Sequence, residues 1–179
     1  RISEMLSSIT QPQLERYYKL RYDRACKHSD SAVTLSFDST SISTYSNTIN
    51  AAAWGHAKQN PELRQVNYMT VCDHATGDVV FACSYDGSIN DQTILPEIYL
   101  RMKLAGLDLT NNILVTDRGF QSIYNTQTAI NLNLKYIQFL SLKEGAVKAH
   151  LQRHKQALCD SIAHKDPVLG ISANAVPDE

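Results

Sequence analysis

Leu114-Val115-Thr116-Asp117-Arg118-Gly119-Phe120, read together with Leu35-Ser36-Phe37-Asp38-Ser39-Thr40, decides the fold of this chain. Each stretch is a short apolar run that ends on an aspartate and passes at once into small or turn-forming residues. The pattern places a carboxylate at the C-terminal tip of a buried strand, where open α/β sheets carry their chemistry. Two such aspartates, with a hairpin and a helical segment between them, point to a pair that holds a divalent metal. No third member of the set is evident nearby.

Outward from these runs, residues 12–27 read as an amphipathic helix with Leu14, Tyr17, Tyr18 and Tyr22 on one side, broken by Ser29-Asp30-Ser31. Residues 32–37 alternate as a first strand. Residues 39–61, rich in Ser, Asn, Ala and Gly, read as an irregular loop. Residues 66–72 and 78–85 are strands joined through the hairpin connection His74-Ala75-Thr76-Gly77. Asn90-Asp91 caps a helix over 92–105 with Ile94, Leu95, Ile98, Leu100 and Met102 as its apolar positions, and Gly106 closes it. A strand at 112–116, a helix at 122–131, a strand at 135–141 and a helix at about 144–163 follow. Three antiparallel strands and then parallel crossovers predict a ribonuclease H-like mixed α/β sheet flanked by helices. In that order Asp38 and Asp117 become neighbours in space. The predicted organisation is an N-terminal helical segment (1–31), a partial ribonuclease H-like core (32–142) and a helical extension (143–179).

The 179 residues suffice for one well-packed domain, and 43% hydrophobic with 20% charged residues is ordinary for a globular protein. No apolar run approaches the roughly 18–20 residues needed to span a bilayer, so no membrane partner is expected. Cys26, Cys72, Cys83 and Cys159 contain no C-x-x-C pair and read as reduced thiols of a cytoplasmic protein. The net charge of −1 conceals an acidic centre between mildly basic flanks: residues 32–134 carry five bases and nine acids, residues 135–165 six bases and two acids. A metal site suits the first, and a phosphate backbone or plain solvated helix faces suit the second.

Two carboxylates on adjacent strand ends repel one another unless a cation lies between them. Magnesium, a hard ion with oxygen ligands that keeps several waters, answers that need. The competing reading has Asp38 capping a turn through Ser39-Thr40 and Asp117 opening the Arg118-Gly119 turn.

Four ordered blocks carry a family resemblance: F-D-S-T (37–40), W-G-H-A-K-x-N-P-E-L-R-Q-V-N (54–67), Y-D-G-S-I-N-D-Q-T-I-L (85–95) and V-T-D-R-G-F-Q-S (115–122). Over about residues 33–142 the chain resembles the DDE transposases of bacterial insertion sequences. The resemblance implies a ribonuclease H-like core in which two aspartates and a distant glutamate bind Mg²⁺ (or Mn²⁺), cut the element ends and join the 3′-hydroxyl to target DNA. Asp38 matches the first acid and Asp117 the second, as catalytic and metal-binding residues. Arg118 and Phe120 match the flanks of the second motif. Gly55, Lys58, Leu63 and Gln65 match the block before the second strand, where Lys58 either reaches a phosphate or is a solvated loop lysine. Asn90 and Asp91 match the block after the third strand and are read as a helix cap. The implied partners are element-end and target DNA, the implied setting is the bacterial nucleoid, and a homo-oligomeric working complex is allowed.

The chain departs from the family at its third acid. Nothing matches the downstream Tyr/Arg/Glu/Lys signature; Glu144 follows the last strand too closely and Glu179 is the final residue. The expectation is therefore a fragment, with the glutamate beyond residue 179, a DNA-binding domain upstream of Arg1 and little activity in isolation. Two alternatives stand beside it: a simple ribonuclease H-like nuclease completed by Asp86 or Asp91, and an inactive transposase-derived domain that binds DNA or a protein. His150 and His154 have the i, i+4 spacing of a zinc pair, but Leu151 occupies the glutamate position of H-E-x-x-H and they read as solvent-facing. Tyr17, Tyr18 and Tyr22 read as helix-packing aromatics rather than base-stacking ones.

Overall fold

Alternation of inward and outward residues over Thr34–Thr44 makes the first strand, β1, with Leu35, Phe37, Ser39 and Ser41 all turned inward. The structure is a computed structural model that describes residues 2–29, 32–56, 59–141 and 145–160. β1 pairs antiparallel with β2 (Arg64–Asp73), and β2 pairs antiparallel with β3 (Val79–Asp86). On its other side β1 runs parallel to β4 (Ile113–Thr116), which runs parallel to β5 (Lys135–Gln138). The order β3-β2-β1-β4-β5 is that of a ribonuclease H-like mixed sheet, as the element order predicts.

β1 is longer than its sequence suggests. Residues 39–44 belong to the strand rather than to the expected loop, paired with β2 as far as Thr44 opposite Arg64. Two inward serines are tolerated because the interior at this end is polar: the Ser39 hydroxyl donates to Asp91 at 2.5 Å. Asp38 thus lies mid-strand and not at a strand tip, although it does stand where the pairing with β4 ends.

The helices form where caps and apolar stripes place them. α1 is Ile2–Ser7, and α2 (Gln11–Lys27) opens on a capping box between Thr10 and Gln13. α3 (Asp91–Leu104) is capped by the Asn90 side chain, which accepts from the Gln92 N–H at 3.1 Å, and ends at Gly106 with φ +82°. α4 (Ile123–Asn131) is capped by Ser122. One sheet face, bearing Leu35, Phe37, Met69, Val71, Phe81 and Leu114, packs on Tyr18 and Tyr22 of α2 and on Ile94, Leu95, Ile98, Tyr99 and Met102 of α3. Two expectations shift by one position on the helical wheel. Tyr17 and Leu100 are more than half exposed, whereas Tyr99 is buried edge-on to Phe37. Residues 1–139 form one unit and residues 140–179 another; the described part of the second includes helix α5 (Gly145–Asp160). No helix among the described residues is long and apolar enough to cross a membrane.

The core is rich in phenols that titrate late. Burial raises Tyr18 to about 12 and pushes Tyr22, Tyr85 and Tyr99 further up, with Asp91 adding to the effect on Tyr85. A phenol that loses its proton near pH 10 when unfolded but keeps it to higher pH when folded contributes its stabilisation in full below about pH 10 and loses it progressively as pH rises toward the folded-state value. The urea midpoint is therefore expected to hold up to about pH 10 and to fall steadily toward pH 12. Tyr18→Phe should flatten that decline; equal slopes for the variant and the parent protein would refute the assignment.

Candidate metal centre

Register brings the two aspartates together. Thr34, Leu35, Ser36 and Phe37 of β1 stand opposite Ile113, Leu114, Val115 and Thr116 of β4. Asp117 continues in extended backbone (φ −78°, ψ 176°), so the next step sets Asp38 beside Asp117 on strands about 4.8 Å apart. Successive side chains alternate between faces. Phe37 and Thr116 are buried on the helix-covered face, so Asp38 and Asp117 share the opposite face, and both are exposed. Cys72, which stands opposite Ser36 on that face, reports the Asp38 charge: burial raises its thiol first, and the Asp38 carboxylate raises it further. Among the described residues neither aspartate forms an ion pair with a basic side chain.

The Asp117 turn combines both sequence readings. Its carboxylate Oδ1 accepts from the Gly119 N–H at 2.8 Å and so caps the single 3-10 turn Arg118–Phe120. Phe120 is 1% exposed, and its carbonyl accepts from the buried Asn125 side chain at 2.7 Å. Phe120 is thus the anchor that fixes where β4 ends, and Arg118 projects from the exposed side of the turn.

Asn90, Asp91, Gly55 and Gln65 have structural roles. Asn90 caps α3. Asp91 accepts from Tyr85 at 2.5 Å and from Ser39, tying the start of α3 to β3 and to the buried face of β1. Because Ser39 and Asp38 point to opposite faces, Asp91 is on the wrong side of the sheet to join Asp38 and Asp117. Asp86 lies two strands and four residues from Asp38, about 16 Å away by strand geometry, and is spent on the Ser88 N–H and hydroxyl. Neither acid completes the site, and among the described residues no three His, Cys, Asp or Glu side chains cluster for a metal. Gln65, 1% exposed, donates to the Gly87 carbonyl and to Asn67. Gly55 and Gly87 are small because main-chain atoms crowd them: a Cβ on Gly55 would meet the Gly87 carbonyl oxygen at 2.0 Å. Leu63 is half-buried. Lys58 and Glu144 lie outside the described residues. His150 and His154 lie against each other on α5 with ring centroids 4.6 Å apart and planes tilted by 40°.

The donor chemistry fits a divalent cation. Two hard, exposed carboxylates on one face, with solvent able to fill the remaining positions, suit Mg²⁺ or Mn²⁺, which bind through one or two carboxylates plus water. Sequence reasoning singled out both acids as candidates. It placed Gly119 and Ser39 in turns but did not foresee the bonds from the Gly119 N–H to Asp117 and from the Ser39 hydroxyl to Asp91 at the start of α3.

No protein-family model matches the chain, and no curated protein matches it. Among solved structures, the chain is similar to the piggyBac transposase in a synaptic complex with hairpin DNA (12% identity, TM-score 0.43, 75% of this chain and 28% of that one). It is also similar to the Mos1 transposase in a paired-end complex with the left transposon end (11%, 0.42, 86% and 57%). A third likeness is to endonuclease V of Ciona intestinalis bound to inosine-containing DNA (10%, 0.36, 83% and 69%). The chain spans less than two thirds of the two transposases, and at these values the fold assignment rests on strand order and register.

Proposed function

We propose that this chain is the N-terminal part of the catalytic core of an insertion-sequence transposase, in which Asp38 and Asp117 hold a divalent cation for cleavage and transfer of DNA strands. The single observation that carries the reading is the register of β1 on β4, which sets two like-charged carboxylates on neighbouring strands and one open face, with no basic side chain paired to either among the described residues. Such an arrangement costs energy without a cation. The resemblance carried by the four ordered sequence blocks supports a DNA phosphodiester as the substrate and allows a homo-oligomer as the working assembly. On this reading residues 1–31 are a helical preface, residues 32–142 the partial core and residues 143–179 an extension of it.

When bound, the cation would neutralise charge on the phosphodiester and make a bound water or 3′-hydroxyl a better nucleophile. The chain's own part is positional. β1 and β4 fix the spacing of the two carboxylates, Phe120 fixes the end of β4, and Arg118 lies beside the site as a counter-charge for phosphate.

Mn²⁺ titration of the ¹⁵N-labelled chain tests this. Paramagnetic broadening is expected first at residues 37–39 and 115–118, with millimolar or tighter affinity, and is expected to vanish in Asp38→Asn. Broadening confined to other acids would remove the cation reading.

A further inference from the structure

We propose that Gly119 is a positioning residue for the Asp117 carboxylate: its N–H fixes one carboxylate oxygen, and its missing side chain keeps the carboxylate where a cation can reach the other. The proposal rests on the reading of Asp38 and Asp117 as cation ligands. Two features of one contact carry it. The Gly119 N–H donates to Asp117 Oδ1 at 2.8 Å, which settles one oxygen and leaves the lone pairs of Oδ2 for a ligand. A Cβ built on Gly119 would stand 3.0 Å from that same Oδ1 and 3.7 Å from Cγ and Oδ2.

The other described glycines are explained differently, and the contrast isolates this one. Gly77 and Gly106 have positive φ, Gly55 and Gly87 meet main-chain atoms, and a Cβ on Gly145 would meet nothing within 4 Å. Gly119 has no positive φ. Beyond its two chain neighbours, the three nearest atoms to its missing Cβ all belong to the Asp117 carboxylate. The backbone would accept alanine here, so nothing about the fold itself calls for glycine; what alanine would displace is the carboxylate. Hydrogen-bond partners that orient metal ligands commonly govern affinity as strongly as this.

The test is Mn²⁺ and Mg²⁺ titration of the 179-residue chain by NMR for the parent, Gly119→Ala, Asp117→Asn and Asp38→Asn. Gly119→Ala is expected to weaken the Mn²⁺ midpoint at residues 38 and 117 roughly tenfold. Its thermal midpoint should stay level or rise by about 1–4 °C, as alanine restricts the unfolded chain. A parent-like Mn²⁺ midpoint in Gly119→Ala, with binding lost in Asp117→Asn, would overturn the positioning role and leave the cation site standing. No broadening at residues 38 and 117 in the parent would end both. A second measurement needs no variant: in the parent chain Mg²⁺ is expected to shift the Gly119 amide with the midpoint of the Asp117 carboxyl carbon. An amide that stays still while that carboxyl moves would also overturn the proposal.

Discussion

Asp38→Asn or Asp117→Asn, made in a longer chain that supplies a third carboxylate, is expected to lower DNA strand cleavage by about a thousandfold or more. Asparagine keeps the shape of the side chain and removes its charge. At position 117 its Oδ1 can still accept from the Gly119 N–H, so the turn into Phe120 should persist and the fold should be unchanged. DNA affinity should stay level or rise, because each substitution removes a negative charge that faces phosphates. The double variant should be no slower than either single one, since groups that hold one cation act as a unit. On the proposed reading, the 179 residues alone should show little or no cleavage. Cleavage surviving in either single variant, or robust cleavage by the 179-residue chain, would contradict the proposed division of labour.

How much of this was legible in the sequence depends on the range of the interaction involved. Strands β2 to β5 and helices α2 to α4 are written in local periodicity and caps, and their order alone implies that β1 and β4 are neighbours. That suffices to pair Asp38 with Asp117. The second half of β1 was not legible, because Ser39 and Ser41 carry the inward positions and look like loop composition. For Ser39 the hydrogen-bond partner is Asp91, 52 residues farther along the chain. The same holds for Asp91 itself. Sequence reading correctly made it part of a helix start, but only the sheet shows that it faces away from Asp38. Tyr99 and Leu100 exchanged roles because α3 meets the sheet along the line 94, 95, 98, 99, 102, which a count of apolar letters cannot orient. The tight approach of residues 55, 65 and 87 is a tertiary contact with no local trace beyond the glycines themselves.

That approach sets up the largest stability effect expected in this protein. Gly87→Ala should destabilise the fold by about 3 kcal/mol or more, lowering the thermal midpoint by roughly 6–12 °C. The new Cβ would stand 2.0 Å from the Gln65 carbonyl oxygen and 2.9 Å from that of Ala53. Both are main-chain atoms already committed: Gln65 and Ala53 exchange hydrogen bonds at 2.9 and 3.0 Å, and the Gly87 N–H donates to Ala51 at 3.0 Å. No side-chain rotation relieves such a contact, so residues 51–53 or the turn after β3 must move away. Either shift also stretches the bond from the Gln65 side chain to the Gly87 carbonyl, inside a region where unpaired polar atoms are costly. Gly55→Ala would strike a different atom, the Gly87 carbonyl oxygen at 2.0 Å, but between the same segments, so moving the turn after β3 away from residues 51–55 relieves part of both clashes. Their double variant should therefore cost clearly less than the summed singles. Urea unfolding of the four proteins measures this directly. Additive losses, or a Gly87→Ala midpoint equal to the parent's, would mean that the segments already have room to separate and that the close packing is not what these glycines serve.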